Sequence, residues 1–126
     1  MEYTALSIPR REIRLLTLFR PSPSLAQVEC EVHVVSLQDS PRYDALFYVW
    51  GDPQLTEPIK VNGHQVQVTL NLAYALEQPR HAFDTVELWV DTLCINQNEV
   101  IEKNHQLPLM GEIYSKTSQI IVWLGP

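Results

Sequence analysis

The apolar positions along the chain form two kinds of run, and each kind predicts a different sort of strand. In residues 28–34 apolar and polar side chains alternate, and a period of two is typical of a strand with one exposed face. Residues 12–19 are rich in isoleucine and leucine and predict a second strand, which we expect to pair with the first as a hairpin at one edge of the domain. Residues 45–50, 86–91 and 119–124 are largely unbroken apolar runs, which indicate strands buried on both faces.

Turn and cap residues predict a hairpin and a helix between the first two buried strands. Asn62-Gly63 separates two short alternating segments, and this dipeptide is the strongest short signal for a hairpin turn. Asn71 predicts the N-cap of a helix, and Pro79 is expected to end it. The apolar face of that helix is predicted to consist of Leu72, Ala73 and Leu76.

A second helix is predicted before the last strand. It should begin at Asn98 or a neighbouring residue and end within residues 115–118. Pro108 lacks a backbone donor, so we expect a kink or a break near residues 104–107. The apolar stripe of this helix is predicted to contain Leu107, Met110, Ile113 and Tyr114.

The order of these elements predicts an α/β fold. Apolar strands separated by helical segments are typical of a parallel sheet with right-handed crossovers. We therefore expect a mainly parallel central sheet with helices on both faces, to which the two hairpins are added. A chain of 126 residues is long enough to bury a core, so residues 1–126 are predicted to form a single domain.

Charge and cysteine content exclude several classes of protein. The chain has 9 basic and 15 acidic residues and a net charge of −6, so attraction to a phosphate backbone is not expected and nucleic acid is not predicted as a partner. Its apolar runs are far shorter than the roughly 20 residues of a membrane helix, and its amino terminus has no signal-peptide pattern. Two cysteines make no disulfide framework, so we expect reduced thiols and a cytoplasmic protein.

The candidate chemistry lies at the carboxyl ends of two buried strands, where open parallel sheets bind ligands. Trp50 offers a flat apolar surface for a ring, and Gly51 lets a ligand approach the backbone. Asp52 and Asp91 offer carboxylates, and Glu102 in the next helix can face the same crevice. The other polar side chains that follow Asp91 are Cys94, Asn96 and Gln97.

Each of these residues also has a structural interpretation. Tryptophans in apolar strands, such as Trp50, usually belong to the core. Asp52 precedes a proline and is a common turn residue, and Asn96 can cap a helix. Glu102 can be an ordinary solvated helix residue. For Asp91 the functional interpretation is the stronger of the two, because a carboxylate directly after an apolar strand is half buried and needs a partner.

Thiol, metal and nucleotide-loop chemistry have little support in the sequence. Cys94 can act as a nucleophile only beside a base, and no histidine is close in sequence, although His105 could approach in space. A buried, inert thiol is the simpler interpretation. The histidines and cysteines have no metal-ligand spacing, so no metal site is predicted, and no glycine pattern of a phosphate-binding loop occurs.

Several blocks in fixed order resemble the heterokaryon-incompatibility (HET) domain of filamentous fungi, and the resemblance covers about residues 12 to 126. They are residues 43–52 (YDALFYVWGD), 68–72 (VTLNL) with Ala75-Leu76, 88–97 (LWVDTLCINQ), Glu102-Lys103, Gln106, Met110, Ile113-Tyr114 and 122–125 (VWLG). HET domains act in fungal non-self recognition and trigger cell death. They are usually the amino-terminal part of a longer protein, so the chain is expected to be such a part or a short stand-alone form.

The resemblance also implies a distant relation to TIR domains, which have a flavodoxin-like fold and in some cases cleave NAD at the nicotinamide–ribose bond. On that analogy Glu102 would be the catalytic carboxylate, and Asp91 the second one. Tyr48 and Trp50 would line the base pocket, and NAD would be a substrate rather than a tightly bound cofactor. Phe47 and Lys103 depart from the family, which usually has serine and arginine at these positions.

Two functions follow as alternatives. The first is a NAD glycohydrolase, in which a carboxylate stabilises the oxocarbenium-like ribose of the transition state. The second is a scaffold without catalysis, which works by self-association or by binding a protein partner. The two are compatible, because assembly could complete a site shared between subunits. A thiol hydrolase that uses Cys94 is a third and weaker alternative.

Overall fold

One seven-stranded sheet dominates the part of the chain that the structure, a computed structural model, describes. This part comprises residues 3–21, 27–82 and 85–125. The strands are β1 (Glu12–Phe19), β2 (Glu29–Ser36), β3 (Asp44–Tyr48), β4 (Thr56–Val61), β5 (His64–Thr69), β6 (Thr85–Trp89) and β7 (Ile120–Trp123). The helices are α1 (Leu70–Ala82), α2 (Asp91–Cys94) and α3 (Val100–Lys116), with a 3₁₀ turn at Leu37–Asp39.

The strand order is β5-β4-β2-β1-β6-β3-β7, and the sheet is mixed. β3 runs parallel to both β6 and β7, and β2 runs parallel to β4. β1 is antiparallel to β2 and to β6, and β4 is antiparallel to β5. The predicted α/β class is confirmed, but the mainly parallel sheet is wrong. A flavodoxin-like sheet has the parallel order 2-1-3-4-5, and this order is not found here.

The predicted hairpin of β1 and β2 exists, but it lies in the middle of the sheet and not at its edge. The two strands pair from Glu12 opposite Ser36 to Leu18 opposite Cys30. Ile13, Arg14, Leu15, Leu16 and Leu18 are all buried, so β1 is covered on both faces. A strand that is buried on both faces lies in the interior of a sheet, and β1 accordingly pairs with β6 on its other side.

The second predicted hairpin is confirmed at an edge of the sheet. Asn62 and Gly63 connect β4 to β5, and both have positive φ angles, 52° and 80°. Two successive positive φ values define the turn that an Asn-Gly pair favours.

The predictions of full burial for residues 45–50 and 119–124 are wrong on one face. Ala45 and Leu46 are buried, but Phe47 is 56% exposed and Trp50 is 61% exposed. In β7 the exposure alternates, with Val122 at 56%. β7 is the last strand of the sheet, and this end is apolar yet uncovered on one side. By contrast, Trp89 in β6 is fully buried and packs edge-to-face against Tyr114, with ring centroids 5.4 Å apart.

Two helix predictions fail at α1. The helix continues to Ala82, one turn beyond Pro79. Pro79 and Arg80 are buried, and Arg80 Nε donates to Glu77 at 2.9 Å, so packing of the last turn outweighs the lost backbone hydrogen bond. Asn71 is not the cap. Thr69 Oγ1 accepts from the backbone N–H of Leu72 at 3.3 Å instead.

The start of α3 is confirmed next to Asn98. The side chain of Glu99 caps the helix by accepting from Ile101 N at 3.2 Å. The predicted break near Pro108 is wrong, because the helix is continuous to Lys116. Contacts before and after the proline stabilise the helix. Gln106 Nε2 donates to Glu12 O at 3.0 Å, and Tyr43 Oη donates to Ile113 O at 2.5 Å. The kink stays a prediction.

Candidate functional site

Residues 91–98 form a turn-rich segment between β6 and α3, and four of the nine predicted site residues belong to it, namely Asp91, Cys94, Asn96 and Gln97. α2 begins at Asp91, directly after the buried strand end at Trp89 and Val90. Ile95 N donates to Asp91 O at 3.1 Å and closes the short helix. The segment has an inner side that faces the core and an outer side that faces a cleft.

A buried ion pair between Arg14 and Glu102 holds the inner side. Arg14 Nη1 donates to Glu102 Oε2 at 2.7 Å, and Nη2 donates to Oε1 at 2.6 Å, which is the strong bidentate geometry. The backbone N–H of Asn96 donates to Oε2 at 2.5 Å. The side chains of Arg14 and Glu102 are 1% and 11% exposed. Both carboxylate oxygens of Glu102 are therefore occupied.

Arg14 has three further contacts that connect it to the amino-terminal segment and to α2. Its Nη1 also donates to Cys94 O at 3.1 Å, and its Nη2 donates to Thr4 O at 2.6 Å. The ring of Tyr3 stacks on the guanidinium, with Cζ 4.5 Å from the ring centroid, and Tyr3 Oη donates to Leu93 O at 3.0 Å. One guanidinium thus joins β1, α2, α3 and the residues before β1.

The pKa of Glu102 reflects these contacts. Burial alone would raise it, but the hydrogen bonds from Arg14 and Asn96 N, together with the Arg14 charge, lower the pKa below its usual value. Glu102 is therefore ionised and bound at neutral pH. In this conformation it holds the segment at Asn96 and is not part of the lining of the cleft on the outer side of residues 91–98.

The outer side of residues 91–98 forms one wall of a cleft of about 390 Å³. The opposite wall comes from the ends of β3 and β5 and from the start of α1. The lining includes four of the predicted site residues, which are Tyr48, Trp50, Asn96 and Gln97. Its other members are Tyr3, Pro53, Val66, Gln67, Val68, Thr69, Leu72, Thr92, Leu93 and Asn98.

Two aromatic side chains, Trp50 and Tyr48, provide the aromatic surface of the cleft. Trp50 is 61% exposed, although tryptophans in apolar runs usually belong to the core. Tyr48 is buried, and its hydroxyl donates to Thr92 Oγ1 at 3.1 Å across the base of the cleft. Burial raises the pKa of Tyr48, and the nearby Asp91 charge adds to this effect. The phenol therefore remains protonated and able to donate.

Asp91 differs from Glu102 in its surroundings. Burial raises its pKa above the usual value, and hydrogen bonds from the backbone N–H groups of Thr92 and Asp91 itself offset this only in part. Among the described residues no side chain forms an ion pair or a hydrogen bond with its carboxylate. Asp91 does not line the cleft itself, but both Thr92 and Tyr48 do, and its charge acts on Tyr48.

The structure places the other predicted site residues away from the cleft lining. Gly51 has a φ of +73°, and a Cβ there would lie 2.3 Å from Asn71 Nδ2, so the positive φ and the close Asn71 side chain explain the glycine. Asp52 Oδ1 accepts from Gln54 N at 2.9 Å in the turn after β3. Cys94 is fully buried, and burial raises its pKa to about 12, which leaves no thiolate for nucleophilic chemistry.

Sequence reasoning missed Arg14 and Tyr3. The signal for Arg14 was available, because an arginine inside an apolar strand has to be paired if the strand is buried. Tyr3 had no comparable signal, since its contacts depend on where the residues before β1 lie. Thr69 and Thr92 were also missed, since only the fold brings their hydroxyls to the cleft.

Within the described ranges, no group of three His, Cys, Asp or Glu side chains is arranged to hold a metal ion. Among the same residues, no helix is both long enough and apolar enough to cross a membrane.

A fold of this kind, with a cleft bounded by the end of β3 and the segment after β6, carries the sequence blocks of one protein family. The family model described as "Heterokaryon incompatibility protein (HET)" matches residues 43–126, two-thirds of the chain. The chain belongs to the HET family, as the resemblance predicted. It is also 36% identical to "Heterokaryon incompatibility protein 6, OR allele" of Neurospora crassa, in an alignment over 97% of this chain.

That alignment covers 20% of the Neurospora protein, so the chain spans about a fifth of the length of this curated relative. No solved structure matches the chain at a significant level.

Proposed function

We propose that the chain is a HET-domain effector of fungal non-self recognition and programmed cell death, and that it cleaves NAD in the cleft beside residues 91–98. The name of the Neurospora relative, a heterokaryon incompatibility protein, supports the first half of the proposal. One observation carries the second half: an aromatic cleft of small-molecule size lies next to an unpaired carboxylate. Cytoplasmic localisation stays a prediction.

The cleft suits a ligand with flat rings and many polar groups. Its volume of about 390 Å³ lies within the range of roughly 300–1,000 Å³ that is usual for small-molecule sites. Trp50 can stack on a base or on nicotinamide, and the amides of Asn96 and Gln97 can hydrogen-bond ribose or carboxamide groups. NAD, a substrate here and not a resident cofactor, has all of these parts.

The two predicted catalytic carboxylates take different roles in this proposal. Departure of nicotinamide leaves positive charge on the ribose, and a nearby carboxylate stabilises that charge. Asp91 has no bound cation among the described residues, so it can supply this charge next to Tyr48. Glu102 neutralises Arg14 and fixes Asn96 in the cleft wall. A direct catalytic role for Glu102 stays a prediction and requires the ion pair to open.

The test is nicotinamide release from NAD by the purified chain and by two variants. Asp91→Asn should fold and lose most of the turnover, since it removes the charge with little change in shape. Glu102→Gln should raise KM more than it lowers kcat if the residue only positions Asn96. A loss confined to kcat in Glu102→Gln would instead identify Glu102 as the catalytic residue.

Two matched controls make the result specific. Asp39→Asn removes an exposed carboxylate in the 3₁₀ turn and should leave turnover unchanged. Tyr74→Ala removes a 43% exposed aromatic side chain outside the cleft and serves as the control for Trp50→Ala. Absence of nicotinamide release from the folded chain at every protein concentration would refute NAD cleavage by this domain.

The second candidate function is a non-catalytic scaffold. The observation that favours it is the state of Glu102, whose two oxygens are bound by Arg14 and by Asn96 N. Cell death on expression in a fungal host that survives Asp91→Asn and Glu102→Gln would support the scaffold. Cell death that requires Asp91 would support the enzyme.

A further inference from the structure

The end of the sheet formed by β3 and β7 exposes a continuous apolar surface. The two strands are in parallel register, with Ala45 opposite Ile120 and Phe47 opposite Val122. Residues in register project to the same face. The ladder continues past the strand ends, since Val49 N donates to Trp123 O at 3.2 Å. We define the β3/β7 face as the five exposed side chains Phe47, Val49, Ile120, Val122 and Leu124.

Exposure on this face is too regular to be incidental. The five side chains are 44% to 76% exposed, while their neighbours on the opposite face, Leu46 and Tyr48, are buried. Single exposed apolar residues are common, but a contiguous patch marks an interaction surface. Every side chain of the β3/β7 face is uncharged, although the chain carries a net charge of −6.

The opposite edge of the sheet, β5, has exposed side chains that protect it against association. β5 exposes His64, Gln65 and Gln67, which are polar. Polar side chains on an edge strand discourage association. β7 instead exposes Ile120 and Val122, which are apolar, so it has no such protection.

We propose that a second copy of this chain covers the β3/β7 face, and that the two faces pack against each other about a two-fold axis. In such an interface each copy contributes the same patch, so an uncharged patch meets an uncharged patch and the acidic remainder of each chain stays outside. From their exposed fractions, these five side chains present roughly 500 Å² of accessible surface per copy. Two copies thus bury about 1,000 Å², the area at which a specific interface becomes plausible.

The inference does not depend on NAD cleavage, because the β3/β7 face shares no side chain with the cleft lining. It names the surface through which a self-associating HET domain would assemble. Its test measures mass and not turnover, so it can fail or succeed separately from the proposed enzyme.

The main experiment is sedimentation equilibrium over a range of protein concentrations. The wild-type chain should shift from its monomer mass of 14.5 kDa to twice that value as concentration rises. The double variant Phe47→Glu, Val122→Glu should weaken this association by more than about tenfold, since it buries unpaired charges in the interface. Circular dichroism checks that the variant folds.

The matched control carries the same charge change at another place. Leu55 and Tyr74 are 54% and 43% exposed, and Leu55→Glu, Tyr74→Glu should associate like the wild type. A wild-type chain that stays monomeric at all concentrations would overturn the proposal, and the face would then belong to a different partner. Equal association of both double variants would also overturn it, in favour of the open edge of β7 or another surface.

A second measurement remains valid if the double variant does not fold. Val122→Cys places one reactive thiol on the face, and a short bismaleimide should link two copies through it. Cys30 and Cys94 are buried and their pKa values are raised to about 12, so they should not compete. Leu55→Cys should give no linked dimer. Equal cross-linking of both variants would contradict the proposed interface.

Discussion

The inner and outer sides of residues 91–98 differ in whether their polar and aromatic groups already have partners. On the inner side every charge has a partner: Glu102 is bound by Arg14 and by the Asn96 amide, and Arg14 also reaches two carbonyls. Asp91 has no side-chain partner among the described residues but does not line the cleft, whereas Trp50 lines the cleft on the outer side and is exposed. The paired groups of the inner side stabilise the fold, and the exposed ring of Trp50 is available to a ligand.

A carboxylate in this domain cannot be assigned a role from its place in a motif alone. Glu102 and Asp91 both belong to the family blocks, and both were predicted to be catalytic. Their pKa values shift in opposite directions, down for Glu102 and up for Asp91, because only Glu102 has a cation beside it. If the inner side stabilises the domain while the outer side binds a ligand, substitutions on the inner side should lower stability and substitutions on the outer side should lower affinity.

The largest effect is expected from Arg14→Met. The variant leaves the buried Glu102 carboxylate without its cation, and breaking a buried pair in this way costs about 3–5 kcal/mol. Urea unfolding of the two proteins measures the loss. The double variant Arg14→Met, Glu102→Leu should recover much of it, since no unpaired charge then remains. A loss below about 1 kcal/mol in Arg14→Met would show that the inner side is not the stabilising region.

A smaller loss is expected from Gly51→Ala, next to the cleft. The residue has a φ of +73°, which costs a non-glycine residue roughly 1–2 kcal/mol. The new Cβ would also displace Asn71, whose Nδ2 donates to Val49 O at 2.9 Å. Gly63→Ala is the control, because its φ is +80° but nothing lies within 4 Å of a Cβ there. If thermal melts show equal losses for both variants, the Asn71 contact contributes nothing.

Local features of the fold were predictable, and non-local ones were not. The Asn62-Gly63 hairpin and the strand at residues 12–19 depend on neighbours in sequence, and both are confirmed. The sheet order depends on which strand is covered on both faces. An unbroken apolar run such as Ile120–Trp123 has the same sequence pattern whether or not its second face is covered, which is why β7 was wrongly predicted to be buried.

The same distinction applies to the candidate site. Trp50, Asn96 and Gln97 were found because they lie at or follow strand ends in the sequence, and Tyr48 was predicted from the analogy to TIR domains. The partner of Glu102 was missed because Arg14 lies 88 positions away and only the antiparallel placement of β1 beside β6 brings the two together. The structural role of Glu102 could therefore be recognised only from the three-dimensional fold.

The pH dependence of stability should have opposite signs at the two carboxylates. The pKa of Glu102 is lowered on folding, so its contribution is present above its ordinary value of 4.5 and is lost as pH falls through the folded pKa. The pKa of Asp91 is raised, so its ionised form destabilises the fold. This penalty is relieved as pH falls through the raised value towards 3.8.

Urea unfolding across this acid range separates the two contributions. Relative to the wild type, Glu102→Gln should lose less stability as pH falls below 4.5. Asp91→Asn should lack the gain that the wild type shows as Asp91 becomes protonated. Asp39→Asn again serves as the control and should parallel the wild type. The same sign for both variants would contradict the division between a paired and an unpaired carboxylate.

The smallest effect on stability, and the sharpest test of the outer side, is expected from Trp50→Ala. The side chain is 61% exposed, so its removal should change the free energy of unfolding by no more than about 0.5 kcal/mol. If the ring stacks on a base of NAD, the same variant should weaken NAD binding by about 1–3 kcal/mol, which calorimetry detects as a rise in Kd. Tyr74→Ala should change neither quantity by more than the error. A large loss of stability in Trp50→Ala with unchanged Kd would mean that Trp50 supports the fold. The main evidence that the cleft binds a ligand with flat rings would then be removed.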